Sequence, residues 1–216
     1  MKTPRIPVAL EGTPFILFAA FATLIAALLE QDAAAGVGLA ATAFVLYFFR
    51  DPSRHVPDDE TALVSPADGR VIIVDEVQDD HYLHTKVRKI SIFMNVFDVH
   101  VNRVPCSGQV EKIVYEPGRF YSADSTRAAL ENETCAVILN TASGHRLAFV
   151  QMAGLIARRI VCWAQKGDTL SKGLRYGLIR FGSRVDLYLP LEMRLEVKLG
   201  QRVKAGESVL ARFVSR

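Results

Sequence analysis

Cysteine is scarce in this chain: Cys106, Cys135 and Cys162 stand far apart, with no CxxC pair among them. An odd, dispersed set excludes a disulfide framework and a zinc knuckle, and fits buried small apolar residues in a reducing compartment. A surplus of one charge is lacking as well. With 26 Lys and Arg against 23 Asp and Glu, the formal net charge is +3. Acidic and basic residues interleave, so no nucleic-acid surface is expected, only a mild attraction to anionic lipid. Internal repeats and low-complexity tracts are absent. After residue 60 helical periodicity is sparse, and only "SADSTRAALEN" (122–132) predicts a short helix.

What the chain has in excess is apolar sequence, and it is concentrated before residue 50. Half of the 216 residues are hydrophobic. Pro14 to Leu29 reads "PFILFAAFATLIAALL", and after "EQD" follows "AAAGVGLAATAFVLYFF", ending at Phe49. Each run is close to the lower limit of the roughly 17 to 25 residues that cross a bilayer as a helix. Residues 1–50 are therefore expected to form a membrane-associated helical hairpin that either spans the bilayer or dips into it. A cleaved signal peptide is disfavoured, because a second apolar run follows directly and no small-residue cleavage site intervenes. A helix pair packed on a soluble body is disfavoured because neither run has a polar face. Lys2 and Arg5 precede the hairpin and Arg50 and Arg54 follow it, while Glu30 and Asp32 occupy its turn. That asymmetry places both ends on the cytoplasmic face.

Residues 51–60 read as a connector, with Pro52 and Pro57 among alternating charges. Beyond it, "ALVSPADGRVIIVDEV", "KISIFMNVFDVHVNRVP", "CAVILNT", "RLAFVQMAG" and "RIVCWA" are β-rich segments at close spacing. The final "LPLEMRLEVKLGQRVKAGESVLARF" reads strand, glycine turn, strand. The expected fold class is mainly β, an antiparallel barrel or sandwich over 61–216 behind the helical hairpin.

The segment "RFGSRVDLYLP" (180–190) puts Gly182 before Ser183 at the mouth of a strand. Glycine adopts backbone angles that a Cβ forbids and leaves its carbonyl open to attack. If a base removes the Ser183 Oγ proton and donors hold the oxyanion, the Gly182–Ser183 amide can shift to an ester. Elimination and hydrolysis would then leave a pyruvoyl group on residue 183. Taken alone, a Gly-Ser pair is far more often ordinary turn sequence. Asp98 and His100 share one face if their segment is a strand, and two such residues at a strand end can simply bond to each other. Arg103 and Arg184 carry guanidinium groups suited to phosphate or carboxylate, or to a surface role. His55, His81 and His84 lie in polar connector sequence and read as solvated.

"SPADGRV", "FDVHVNRVP", "GHRLAFVQMAG" and "RFGSRVDLYLP", in this order behind a hairpin ending in "FFRDPSR", resemble the short bacterial form of the phosphatidylserine decarboxylase proenzymes. The resemblance covers essentially the whole chain. It implies a self-cut between Gly182 and Ser183, giving a β chain (1–182) and an α chain (183–216) that stay together as a heterodimer. It implies a covalent pyruvoyl cofactor derived from Ser183, no external cofactor or metal, and Schiff-base decarboxylation of phosphatidylserine to phosphatidylethanolamine at the cell membrane. It further implies Asp98 as an orienting partner in self-cleavage, and His145 as the histidine that takes the Ser183 proton, with His100 beside them. Longer family members carry a Leu-Gly-Ser-Thr junction where this chain has Phe181, Gly182, Ser183 and Arg184; the arginine form is similar to the short subclass. Three other readings stay open. One is a decarboxylase of another serine-headgroup lipid, such as an ether-linked archaeal type. Another is a membrane-anchored lipoyl- or biotinyl-like module, for which Lys204 is a poor acceptor. The third is a zinc peptidase using His100 and His145, short of a third ligand.

Overall fold

The computed structural model describes residues 7–125, 127–155, 159–180 and 182–214. Lys2, Arg5 and Phe181, on which the sequence reading drew, lie outside them. The chain divides into two compact units, Met1–Ser53 and Arg54–Arg216.

In the first unit, α1 (Thr13–Leu28) and α2 (Asp32–Phe48) form the expected hairpin, with Pro14 in the first turn of α1, where its missing N–H costs nothing. Entry and exit are tied by Ala9 N–H donating to Phe49 O at 2.8 Å and Asp51 N–H donating to Pro7 O at 2.7 Å. The helices meet at small residues. A Cβ on Gly38 would fall 2.6 Å from Thr23 Oγ1, and the Thr23 and Thr42 hydroxyls are 3.2 Å apart, a contact type that draws apolar helices together in lipid. Leu17, Phe18, Phe21, Leu24, Val37 and Leu39 stand exposed around them. Leu10–Leu28, 19 residues, is long and apolar enough to cross a membrane, and the 17 residues of Asp32–Phe48 fall just short.

The second unit is antiparallel β, as expected. Its strands are β1 (Ala62–Val64), β2 (Gly69–Asp79), β3 (Thr85–Met94), β4 (Val101–Arg103), β5 (Gly108–Glu116), β6 (Thr134–Asn140) and β7 (Arg146–Met152). They continue as β8 (Ile160–Cys162), β9 (Thr169–Leu170), β10 (Arg175–Ile179), β11 (Ser183–Leu189), β12 (Arg194–Leu195), β13 (Arg202–Val203) and β14 (Val209–Arg212). Eight of them form a curled half-barrel in the order β13-β2-β3-β11-β7-β6-β5-β9, and the triplets β4-β10-β8 and β1-β14-β12 complete the body. The alternation read in sequence sorts the two faces. Ile90, Ile92, Leu147, Phe149, Val185, Leu187 and Leu189 point into the main core, each contributing about 1.5–3 kcal/mol by burial. Tyr82, Ala136, Ala148 and Tyr188 pack on the opposite face.

Two local expectations change. "KISIFMNVFDVHVNRVP" is not one strand: β3 stops at Met94, a turn follows, and β4 starts at Val101. The break is chemical, since Asn95 Oδ1 accepts the Phe97 N–H at 2.8 Å and Asp98 Oδ2 accepts the Asn95 N–H at 2.9 Å. Such side-chain bonds compete with strand pairing. The helix expected over 122–132 shrinks to α3 (Ala128–Glu131).

Candidate active site

Ser183 opens β11 at one end of the half-barrel. Its register partner is Met94, the last residue of β3, and the neighbouring Arg184 pairs with Met152, the last residue of β7. Because β3 and β7 both run antiparallel to β11, the loops that leave them emerge together, on either side of the Gly182–Ser183 bond. The alternation of β11 turns Ser183 inward with Val185 and Leu187. It is fully buried, and its Oγ has no hydrogen-bond partner among the described residues. Burying a hydroxyl without a partner is costly, which marks this position as something other than turn sequence. Gly182 has φ +60°, in the left-handed region that favours glycine, with open space where a Cβ would stand. Its carbonyl oxygen lies against the backbone of Gly154: a Cβ on Gly154 would come within 1.8 Å of Gly182 O and 2.8 Å of its carbonyl carbon.

His100 lies at the same end. Its main-chain carbonyl accepts the N–H of Ile179, the residue closing β10 just before the junction, at 3.4 Å. Its ring is buried, and Nδ1 lies 2.9 Å from the main-chain oxygen of Asp98. A carbonyl only accepts, so Nδ1 carries the proton and Nε2 is left as the basic nitrogen. Asp98 therefore does hold His100, but through its backbone. The carboxylate is used in the turn to Asn95, and it stands 3.7 Å from Arg202. The shared strand face expected for Asp98 and His100 does not exist, since residue 98 lies in the turn.

The remaining expected residues are elsewhere. His145 sits in the β6–β7 hairpin, beyond the far end of β11. Counting along the register from Met152 to His145, it is roughly 25 Å from Ser183 by strand rise. There it bonds Ser143 Oγ at 2.9 Å and lines a groove with Lys172 and Phe213. It does not reach the Ser183 hydroxyl, and it shares no metal site with His100. Arg184 points away from Ser183, to the outer face, and is fully buried there. Its Nε lies 2.7 Å from Asp186 Oδ1 and its Nη1 donates to Ala123 O at 2.9 Å, while Lys89 reaches the same Asp186 at 3.0 Å. These contacts occupy the guanidinium, so Arg184 pins the 121–125 segment rather than binding substrate. Arg103 is buried and donates to Gly173 O at 3.0 Å. Its partner Arg175 begins β10, so Arg103 lies at the end of that triplet away from the junction.

Two side chains at the site escaped the sequence reading. Gln151 and Asn102, both fully buried, face each other with Gln151 Nε2 donating to Asn102 Oδ1 at 2.9 Å and lying 3.5 Å from Val161 O. Contact with two carbonyl-type oxygens fixes which end is the amide nitrogen, and Oε1 has no donor among the described residues. Asn102 Nδ2 donates to the Met94 sulfur at 3.6 Å. The signal was in the pattern: Gln151 stands at an inward position of β7 where Phe149 and Ala153 on either side are core residues. Nearby, burial holds the Tyr176 phenol well above its ordinary range, so it stays protonated. At the Lys172 end, burial likewise pushes the Cys106 thiol up to about 12. All three cysteines are free.

Comparison with known proteins bears on this geometry. The family model described as phosphatidylserine decarboxylase matches residues 41–211. A phosphatidylserine decarboxylase proenzyme of Desulfotalea psychrophila is 56% identical over 214 residues, covering 99% of this chain and 100% of the relative. Proenzymes of the same description from Pelobacter propionicus (51% identical, covering 99% of this chain and 100% of the relative) and Syntrophus aciditrophicus (50% identical, covering 95% and 97%) are also similar.

Proposed function

Because the chain belongs to the phosphatidylserine decarboxylase family, we propose that it cuts its own backbone between Gly182 and Ser183 and then decarboxylates phosphatidylserine to phosphatidylethanolamine. One observation carries the reading: a fully buried Ser183 hydroxyl, with no partner among the described residues, follows a glycine held at positive φ.

The first step uses the chain's own groups. His100 Nε2 is the base placed at this end of the sheet, and it takes the Ser183 Oγ proton as the oxygen attacks the Gly182 carbonyl carbon. The Gly182 C–N bond breaks, the nitrogen gains a proton, and an ester joins Gly182 to Ser183 Oγ. Loss of the Ser183 Cα proton then expels the Gly182 carboxylate and separates residues 1–182 from 183–216. Hydrolysis with loss of ammonia leaves a ketone at residue 183.

The buried surroundings of Ser183 fit such a group, because Gln151 Oε1 and the Asn102 amide offer polar contacts beside an otherwise apolar floor of Met94 and Ala153. When present, the ketone supplies an electron sink for the pair left on the serine Cα as CO2 departs. The protein's part is to hold the headgroup against residue 183 and to exclude water. Gln151 Oε1 accepts from an ammonium, and Asn102 Nδ2 donates to a carboxylate, the two groups a serine headgroup presents. The exposed apolar hairpin keeps the site at the membrane that holds a diacyl substrate, on the cytoplasmic side by its flanking charges.

A denaturing gel with mass spectrometry tests this. Wild type should give fragments of 182 and 34 residues, the second blocked by pyruvate, whereas Ser183→Ala should remain a single inactive chain of 216 residues. Active wild type with an intact, amide-linked Ser183 would refute the proposal.

A further inference from the structure

Exposed apolar side chains are not spread evenly over the second unit. Among its described residues the large ones that stand out most are Phe97, Tyr115, Leu155, Leu199 and Val214. Three of these five, Phe97, Tyr115 and Leu155, gather at the end of the half-barrel that holds Ser183. Phe97 (62% exposed) lies in the turn leaving β3, and Leu155 (63%) follows Gly154 in the loop leaving β7. These two loops flank the start of β11 on either side. Tyr115 is at the end of β5, which also finishes at this rim, one pair in from Glu116 and Thr134. Leu199 is set back from the rim, because Gly200 donates to Val71 O at 2.8 Å and β13 runs antiparallel to β2. The opposite end, which carries the β2–β3 and β6–β7 hairpins, has no comparable group among the described residues.

Cations accompany the apolar groups. Arg70 at the start of β2, Arg159 before β8 and Arg202 on β13 are exposed at the same rim. Single exposed leucines are ordinary. A ring of phenylalanine, leucine and tyrosine interleaved with guanidinium groups around a buried reactive residue is the composition of a surface that enters a lipid headgroup layer. Aromatic and aliphatic ends reach the acyl boundary while arginines meet phosphate.

We propose that this rim is a bilayer-docking surface, in which Phe97 and Leu155 insert beside the Gly182–Ser183 junction and open the site directly onto anionic lipid. This rests on the decarboxylase reading for its substrate, but the contact itself is independent of catalysis and of the hairpin. Insertion on both sides of β11 would let a serine headgroup rise into the site while its acyl chains stay in the membrane.

Two measurements on the full chain test it. In a Trp163→Phe background, Phe97→Trp should be quenched by vesicles of phosphatidylserine and phosphatidylcholine brominated on the acyl chains. Lys86→Trp, at the opposite end of β3, should not be. Second, Phe97→Ser combined with Leu155→Ser should raise KM for vesicle phosphatidylserine about tenfold, with kcat/KM on monomeric dihexanoylphosphatidylserine unchanged and the chain still cut into two fragments. Absence of quenching at position 97 overturns the proposal. So does an equal loss on both substrates, which would mean damage to the site. Quenching by a chain that is never cut and never active would uphold the docking surface and remove the decarboxylase reading alone.

Discussion

His100 owes its orientation to a main-chain oxygen. The Asp98 carbonyl, 2.9 Å from Nδ1, fixes the tautomer, while the Asp98 carboxylate caps the turn that delivers that carbonyl. The two residues should therefore behave differently on substitution. His100→Gln removes the proposed base and should slow self-cleavage by about 10²- to 10⁴-fold, seen as accumulation of uncut chain. Asp98→Asn retains an acceptor for the Asn95 N–H and should still be cut within about tenfold of wild type. A time course of fragment appearance after rapid synthesis separates these outcomes. Arg184 teaches the same lesson from the other face of β11: a guanidinium next to Ser183 in sequence is turned to the opposite side by the period of two. It is then spent on Asp186 and Ala123.

At the level of elements, the proposed junction lies where β7 ends beside the start of β11. Gly154 packs its Cα against the Gly182 carbonyl, leaving no room for a Cβ, which would lie 1.8 Å from the oxygen. Gly154→Ala must move that carbonyl. A displacement near 1 Å is enough to cost about 100-fold in a reaction that depends on alignment. Fragment formation should therefore slow by that order while the thermal midpoint shifts by only a few degrees. Hydroxylamine should not speed cutting in this variant, because the block precedes the ester it would attack; acceleration by hydroxylamine would contradict the placement. The strand pattern was legible in sequence because β-branched alternation maps onto two faces. The break at residues 95–100 was not, because it depends on side-chain caps inserted into an otherwise continuous alternating run.

For the whole molecule, the composition divides cleanly at the unit boundary. Apolar side chains of the hairpin face outward with no polar stripe, whereas those of Arg54–Arg216 are gathered in a core around β3, β7 and β11. An outward apolar surface of this extent requires a partner phase. The full chain should accordingly remain with the membrane pellet through alkaline carbonate extraction, and recovery in the supernatant would argue against integral association. The half-barrel brings residues distant in sequence to one end: the turn after β3, the loop after β7 and the junction before β11.

By itself the sequence determined the hairpin and the β class of the body and singled out Gly182–Ser183 as the proposed junction, because apolar run length, alternation and a glycine before a nucleophile are local properties. Only the tertiary structure decided which histidine stands near Ser183, sending His145 to the far end and His100 to the near one. It also decided that Arg184 is consumed in an ion pair and that Gln151 and Asn102 share the buried floor of the site. Those outcomes depend on strand register and on which strand ends meet, and register is set by pairing between segments far apart along the chain.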